Sequence, residues 1–157
     1  MLRISKLTDY ATVLLAHLAE EGAGMRTAVE LAEGSRIGLP TVSKVLKELQ
    51  RAGLITSTRG ARGGYTLGRP AAQITAAEII DAVEGPLGLT ECSTHPGQCG
   101  LEPSCRVGRS WQRVNVAIHR ALSDVKLTHL IAQEAPGVPA ADLAITLGSR
   151  PGLRARA

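Results

Sequence analysis

The stretch from Leu39 to Leu67 constrains the fold more than any other part of the sequence. Val42, Val45, Leu46 and Leu49 recur there at the spacing of a helix with one apolar face. Pro40 suits the first turn of that helix and Gly53 is a natural left-handed terminator, so we read a helix over Pro40–Ala52. Leu54-Ile-Thr-Ser-Thr58 follows, with the β-branched content of a strand. Arg59-Gly-Ala-Arg-Gly-Gly64 is then a glycine-rich turn and Tyr65-Thr-Leu67 the return strand. Together they predict a β-hairpin with two arginines at its tip.

Upstream, Leu7, Ala11, Leu14, Leu15 and Leu18 share one face of a first helix over residues 6–21. Thr27 and Glu30 fit a capping box that opens a short second helix, Ala28–Glu33, stopped by Gly34. Two short helices joined by a tight glycine-containing turn, the second of them basic, form a helix-turn-helix. With the hairpin added, residues 1–70 read as a winged helix. Thr75 and Glu78 form another capping box, starting a helix from Ala76 to about Val83.

Residues 85–104 hold four glycines, three prolines and two of the three cysteines, without periodicity of their own. We therefore assign 71–104 as a linker helix followed by a cysteine-containing loop. From Cys105 a long helix is expected to run to Leu130. Val107, Trp111, Val114, Ile118, Ala121 and Val125 are spaced 4, 3, 4, 3 and 4 residues apart along it, a heptad seam. A helix this long on a small domain points to a homodimer, so 105–133 is assigned as a dimerisation helix. Residues 134–157 are Ala-, Pro- and Gly-rich and read as a disordered tail. The whole is mainly α, a winged helix-turn-helix with a small hairpin wing and a long C-terminal helix. A length of 157 residues allows one such domain with an appendage.

Charge is segregated along the chain. Residues 36–70 carry seven Lys or Arg against Glu48 alone, whereas residues 71–105 carry five acids and no base. A polyanion-binding part is thus followed by an acidic part that holds every cysteine. With no Phe, one Trp and two Tyr, the chain lacks the aromatics of a single-strand stacking platform. On the basic helix, Thr41, Ser43, Lys44 and Lys47 lie away from the apolar face. In a helix-turn-helix such positions reach base edges or phosphates of the major groove. Arg59 and Arg62 sit on a slim glycine hairpin suited to a groove. Taken singly, these are ordinary solvated residues; taken together they point to double-stranded DNA. Tyr65 reads as structural. No Ser-His-Asp set, carboxylate pair or phosphate loop suggests an enzyme, and no small-molecule substrate is implied. Neither a membrane span nor a secretion signal is evident, so a cytoplasmic location is expected.

Cys92, Cys99 and Cys105 form a C-x6-C-x5-C pattern. Thiolates bind zinc and iron–sulfur clusters, and the spacing lacks the tight knuckles of structural zinc. Zinc, a redox disulfide and unligated thiols all stay open on spacing alone. His95 within the loop is a candidate for a fourth ligand. Asp9, at the start of the first helix, has as its simplest role a favourable charge at a helix N-terminus. His17, His119 and His129 receive no chemical role.

The order of wing, helix, three-cysteine loop and long helix resembles the Rrf-type iron–sulfur-sensing winged-helix regulators, over about residues 1–132. The resemblance rests on the wing stretch Ala52–Arg69, on Leu7-Thr-Asp-Tyr10, on Leu39-Pro-Thr-Val-Ser-Lys-Val-Leu-Lys47, on Leu89-Thr-Glu-Cys92 and on Trp111-x-Arg-Val-Asn115. Within that family it is most similar to the regulators of the SUF iron–sulfur assembly system. It implies a homodimeric repressor of cluster-assembly genes that binds a palindromic operator, with cluster thiolates at Cys92, Cys99 and Cys105 and a wing arginine at Arg59. Where the Isc regulators have a histidine three residues after the last cysteine, this chain has Gly108. Some nitric-oxide-sensing members donate a carboxylate across the dimer from the start of the first helix, and Asp9 matches it. That places Asp9 ahead of His95. The cluster type, 2Fe–2S or 4Fe–4S, is not set by the resemblance. A nitric oxide or redox-stress sensor of the same family is the alternative, and a structural zinc or thiol interaction module the alternative from another class.

Overall fold

The computed structural model describes residues 4–20, 24–60, 62–90, 93 and 105–132. The described chain folds as α1 (Lys6–Ala19), α2 (Ala28–Ser35), α3 (Leu39–Arg51), β1 (Ile55–Thr58) and β2 (Gly64–Leu67), then α4 (Ala76–Glu84), α5 (Gly108–Asp124) and α6 (Leu127–Ile131). A single 3-10 turn, Ala71–Gln73, joins β2 to α4. Helix α1 lies at the centre. It packs on α2, α3, α4 and α6, and Ala11, Leu14 and Leu15 are fully buried. Against them sit Leu31 of α2, the apolar face of α3 (Val42, Val45, Leu46, Leu49), Leu54, Ile55, Ile74 and Ile79. The apolar periodicity of α1 and α3 is thus what closes the core.

Both capping boxes form. Thr27 Oγ1 accepts from the Glu30 N–H at 3.2 Å, and Glu30 Oε2 accepts from the Thr27 N–H at 2.7 Å. Thr75 and Glu78 repeat the pattern at 3.2 and 2.9 Å. Helix α2 does not stop at Gly34 but continues to Ser35, and Arg36 is the left-handed residue that ends it, with φ 57°. Gly34 instead faces α1: a Cβ there would lie 3.6 Å from the His17 ring.

The long C-terminal helix is not continuous. It breaks at Val125 and Lys126, both extended, and a new short helix begins at Leu127. The cause is backbone pairing with the segment before α4. The Ala76 N–H donates to Val125 O at 2.9 Å and the Leu127 N–H to Ile74 O at 2.8 Å. These bonds exchange two helical hydrogen bonds for two long-range ones and swing Leu127 into the core, where it is fully buried. The heptad count carries no signal for such a break. Residues Cys105 to Val107 precede the helix rather than belong to it. The tail expected over 134–157 lies outside the described residues.

Leu127 therefore belongs to the core built around α1. Leu127→Ala should destabilise the fold by about 2–5 kcal/mol, the range for a large-to-small change in a closed core. Urea unfolding measures it; an effect under about 0.5 kcal/mol, the scale of a surface change, would place α6 outside the core.

Candidate nucleic-acid interface and cysteine segment

Helix α3 turns four apolar side chains inward, which fixes what it presents outward. Ser43, Lys44 and Lys47 are exposed and Thr41 is half-buried. Gln50 continues the same outer face one turn beyond Lys47, and its Nε2 donates to Ser57 Oγ of β1 at 2.8 Å. The wing is thereby tied to the C-terminal end of α3. Its strands pair antiparallel, Ile55 with Leu67 through Thr58 with Gly64. A second tie comes from Arg26, which exchanges both backbone hydrogen bonds with Tyr65, at 3.0 and 2.7 Å. Tyr65 packs against the core, as its structural reading expects. At the tip Gly60 has φ +118°, and a Cβ at Gly63 would stand 2.3 Å from Thr58 O. The wing is slim because only glycine fits there. Arg59 and Arg62 are exposed at that tip.

The ion pairs separate structural bases from available ones. Arg51 pairs with Glu48, Arg69 with Glu78 and Arg26 with Glu20. Lys44, Lys47, Arg59 and Arg62 have no side-chain partner among the described residues, and neither has Arg36 at the helix-turn-helix corner. An anion arriving on this face meets bases that need not first break an ion pair. Thr27, Gln50, Ser57 and Thr58 line the concavity between α3 and the wing together with Arg59. The spacing of the sequence does not mark Thr27, Gln50, Ser57 or Thr58 as site residues. Gln50 was findable, since Ser43, Lys47 and Gln50 share one helical stripe; the others had no signal before the wing was placed.

Of the cysteine segment, residues 85–90, 93 and 105 are described. Cys105 is exposed, its thiol is free, and its Sγ lies over Gly108 at the start of α5. Cys92, Cys99 and His95 lie outside the described residues. Asp9 is exposed on the first turn of α1. Among the described residues no three His, Cys, Asp or Glu side chains converge. The start of the segment is held in place. The Leu87 N–H donates to Asp81 Oδ1 at 3.1 Å, Asn115 Nδ2 donates to Leu87 O at 2.9 Å, and the His119 ring meets Asp81 Oδ2 at 3.3 Å. Asp81 thus joins α4, the entry to the segment, and α5. His119 is a structural contact.

Glu84, the last residue of α4, caps α1. Its Oε1 accepts from Thr8 Oγ1 at 2.5 Å and from the Ser5 N–H at 2.9 Å. Thr8 is buried. These two bonds, the Thr8 hydroxyl first, hold the Glu84 carboxyl below the usual carboxylate range.

A model of the Rrf2 family, described as an iron-dependent transcriptional regulator, matches residues 4–133. The chain belongs to the Rrf2 family. Members are DNA-binding transcription regulators and not enzymes, in agreement with the reading of the sequence. The chain is 33% identical over 147 residues to the HTH-type transcriptional regulator IscR of Cereibacter sphaeroides, covering 88% of this chain and 95% of that one. Among solved structures it is similar to CymR (YrzC), the global cysteine regulator of B. subtilis, with TM-score 0.64 and 28% identity over 85% of this chain and 99% of that one. It is also similar to the T. potens IscR, with TM-score 0.59 and 27% identity over 87% and 94%. The winged-helix fold is shared throughout. Among the described residues no helix is long and apolar enough to cross a membrane.

Two outcomes are expected. If Arg59 reads a base edge, Arg59→Ala costs about 1–3 kcal/mol of operator affinity and relaxes specificity, whereas loss of a phosphate contact at Lys47 weakens all sequences alike and flattens the salt slope by about one unit. Titrations at several salt concentrations test both, and unchanged affinity for Arg59→Ala would remove the wing from the interface. The second outcome concerns Glu84. A carboxyl depressed in the fold adds stability above its unfolded pKa and loses it as pH falls through the folded value. Glu84→Gln should therefore lower stability at pH 7 by less than about 1 kcal/mol, given its exposure, and the gap should close below about pH 4. A gap that persists unchanged into acid would mean the charge is not what Glu84 supplies.

Proposed function

We propose that the chain works in the cytoplasm as a homodimeric repressor on a palindromic operator, and that its DNA affinity depends on an iron–sulfur cluster. The DNA half of this reading rests on one observation above all: Lys44 and Lys47 of α3 and Arg59 and Arg62 of the wing are exposed and stand without ion-pair partners among the described residues. Lys44, Lys47, Arg59 and Arg62 supply backbone contacts and edge contacts, and Thr41 and Ser43 reach the bases nearest the start of α3.

The cluster half is supported by donor chemistry. Cys92, Cys99 and Cys105 offer three thiolates, which suit iron–sulfur ligation, and the Cys105 thiol is free and exposed. A cluster of the 2Fe–2S or 4Fe–4S type held there would supply a centre sensitive to oxygen or nitric oxide. Asp9 of the partner subunit is our fourth ligand, supported by its exposed place on the first turn of α1, the position that resembles the carboxylate of nitric-oxide-sensing relatives. A carboxylate is a hard donor and a weaker partner for iron than thiolate, as an exchangeable sensing position needs. Likeness to IscR and the iron-dependent family description support cluster-assembly genes, the chain's own operon among them, as targets.

A thiol-based redox sensor is the second reading. It is favoured by the exposed Cys105 and by likeness to CymR, including the S. aureus CymR solved in an oxidized form at 29% identity. Protein purified without oxygen separates the two. The cluster reading expects a brown protein with iron and acid-labile sulfide, and Asp9→Ala that folds and dimerises but shortens cluster lifetime, while His95→Ala changes little. A colourless, sulfide-free protein with about one zinc per chain would select the structural zinc module, and a colourless metal-free one the thiol sensor.

A further inference from the structure

Helix α5 has a face that neither the core nor the apolar seam uses. Residues 106–123 hold four arginines and no acid. Arg109, Arg113 and Arg120 follow one another at spacings of 4 and 7 residues, so they share one stripe of the helix, about 16 Å long. The stripe lies on the side opposite Ile118 and Leu122, two of the half-buried residues of this helix, which packs on α4. All three arginines are exposed, and none has an ion-pair partner among the described residues.

Between the arginines the surface is concave, with an apolar floor. Arg109, Gln112, Arg113, Val116, Ala117 and Arg120 line a depression of ≈ 600 Å³. Val116 is 48% exposed, with an arginine three residues before it and another four after. The six residues form two neighbouring rows at i, i+4 spacing, Arg109–Arg113–Ala117 and Gln112–Val116–Arg120. A groove between two such rows is the shape that receives a row of side chains from another helix, and the small Ala117 lets that row approach.

Charge and floor together select the occupant. A second copy of the stripe would set arginine against arginine, so the face is not a self-contact. A nucleic-acid backbone would satisfy the guanidiniums but leave the apolar floor unfilled. An amphipathic helix whose apolar row is flanked by Glu or Asp satisfies both. Its apolar row fills the groove over Val116 and Ala117, and its carboxylates meet the arginines in bidentate pairs. We propose that the outer face of α5 is a docking site for an acidic amphipathic helix of another protein. The site uses none of the bases assigned to DNA, so partner and operator need not compete.

The probe is a fluorescein-labelled 18-residue peptide with leucines along one i, i+4 row and glutamates on the two rows beside it, titrated with the full chain and read by anisotropy. Saturable binding that weakens as salt rises is expected. Replacing Arg109, Arg113 and Arg120 together by Ala should cost at least about tenfold, the sum of three exposed ion pairs. Val116→Asn should cost about threefold through lost apolar contact. Operator affinity should stay within about twofold in both variants, because α3 and the wing carry it. Circular dichroism confirms folding. Replacing the three arginines by Glu should transfer binding to a peptide with Lys in place of Glu, a rescue that a misfolded chain would not show. Equal binding of a scrambled peptide of the same composition would overturn the groove, and so would no saturable binding up to about 1 mM. Loss of operator affinity in step with peptide affinity would overturn the proposal by giving the stripe to nucleic acid.

Discussion

Two backbone hydrogen bonds, from Ala76 to Val125 and from Leu127 to Ile74, hold the two functional ends of this protein together. Without them the C-terminal helix would run on as one rod, connected to the DNA-reading domain only through α4. With them the chain is stopped and turned at Val125, and Leu127 is buried beside α1 and Ile74. Such burial of a leucine is worth roughly 2 kcal/mol in transfer free energy. The pairing also fixes the C-terminal end of α5 against the segment before α4.

From this joint a connected set of contacts leads to the reading head. Glu84 at the end of α4 caps α1 through Ser5 and Thr8. Helix α1 packs directly on α2 and α3. Gln50 then ties α3 to the wing. Asp81, about one turn before Glu84 on α4, gathers the entry to the cysteine segment and His119 of α5. A change at the segment has a continuous packed route to α3, and interiors packed at this density pass displacements on rather than absorbing them. Switching needs a ligand that distinguishes two arrangements of this frame, and a cluster shared between subunits meets that requirement.

Much of this was legible in the residues. The apolar stripes of α1 and α3, both capping boxes and the glycine wing each depend on local spacing, and each formed where spacing placed it. The break at Val125 was not legible, because it is caused by residues fifty positions earlier in the chain. Its sequence carries no proline or glycine to announce it. The end of α2 was misplaced for a related reason: Gly34 serves close approach to His17, and the left-handed position fell to Arg36, an uncommon residue for it. At the interface, spacing found the outward bases but could not tell Arg51 and Arg69, held by Glu48 and Glu78, from Arg59 and Arg62, which are not held. Only the folded chain makes that distinction. Cys92, Cys99 and their relation to Asp9 rest on donor chemistry and on family resemblance.

The central claim is that DNA affinity is set by the state of the cysteine segment. The most direct measurement is operator affinity of one anaerobic preparation before and after its iron is stripped by a chelator, at fixed salt. A change of at least about tenfold between the two is expected, close to 1.4 kcal/mol of coupling. Equal affinities, from samples that differ in iron and sulfide content, would contradict it.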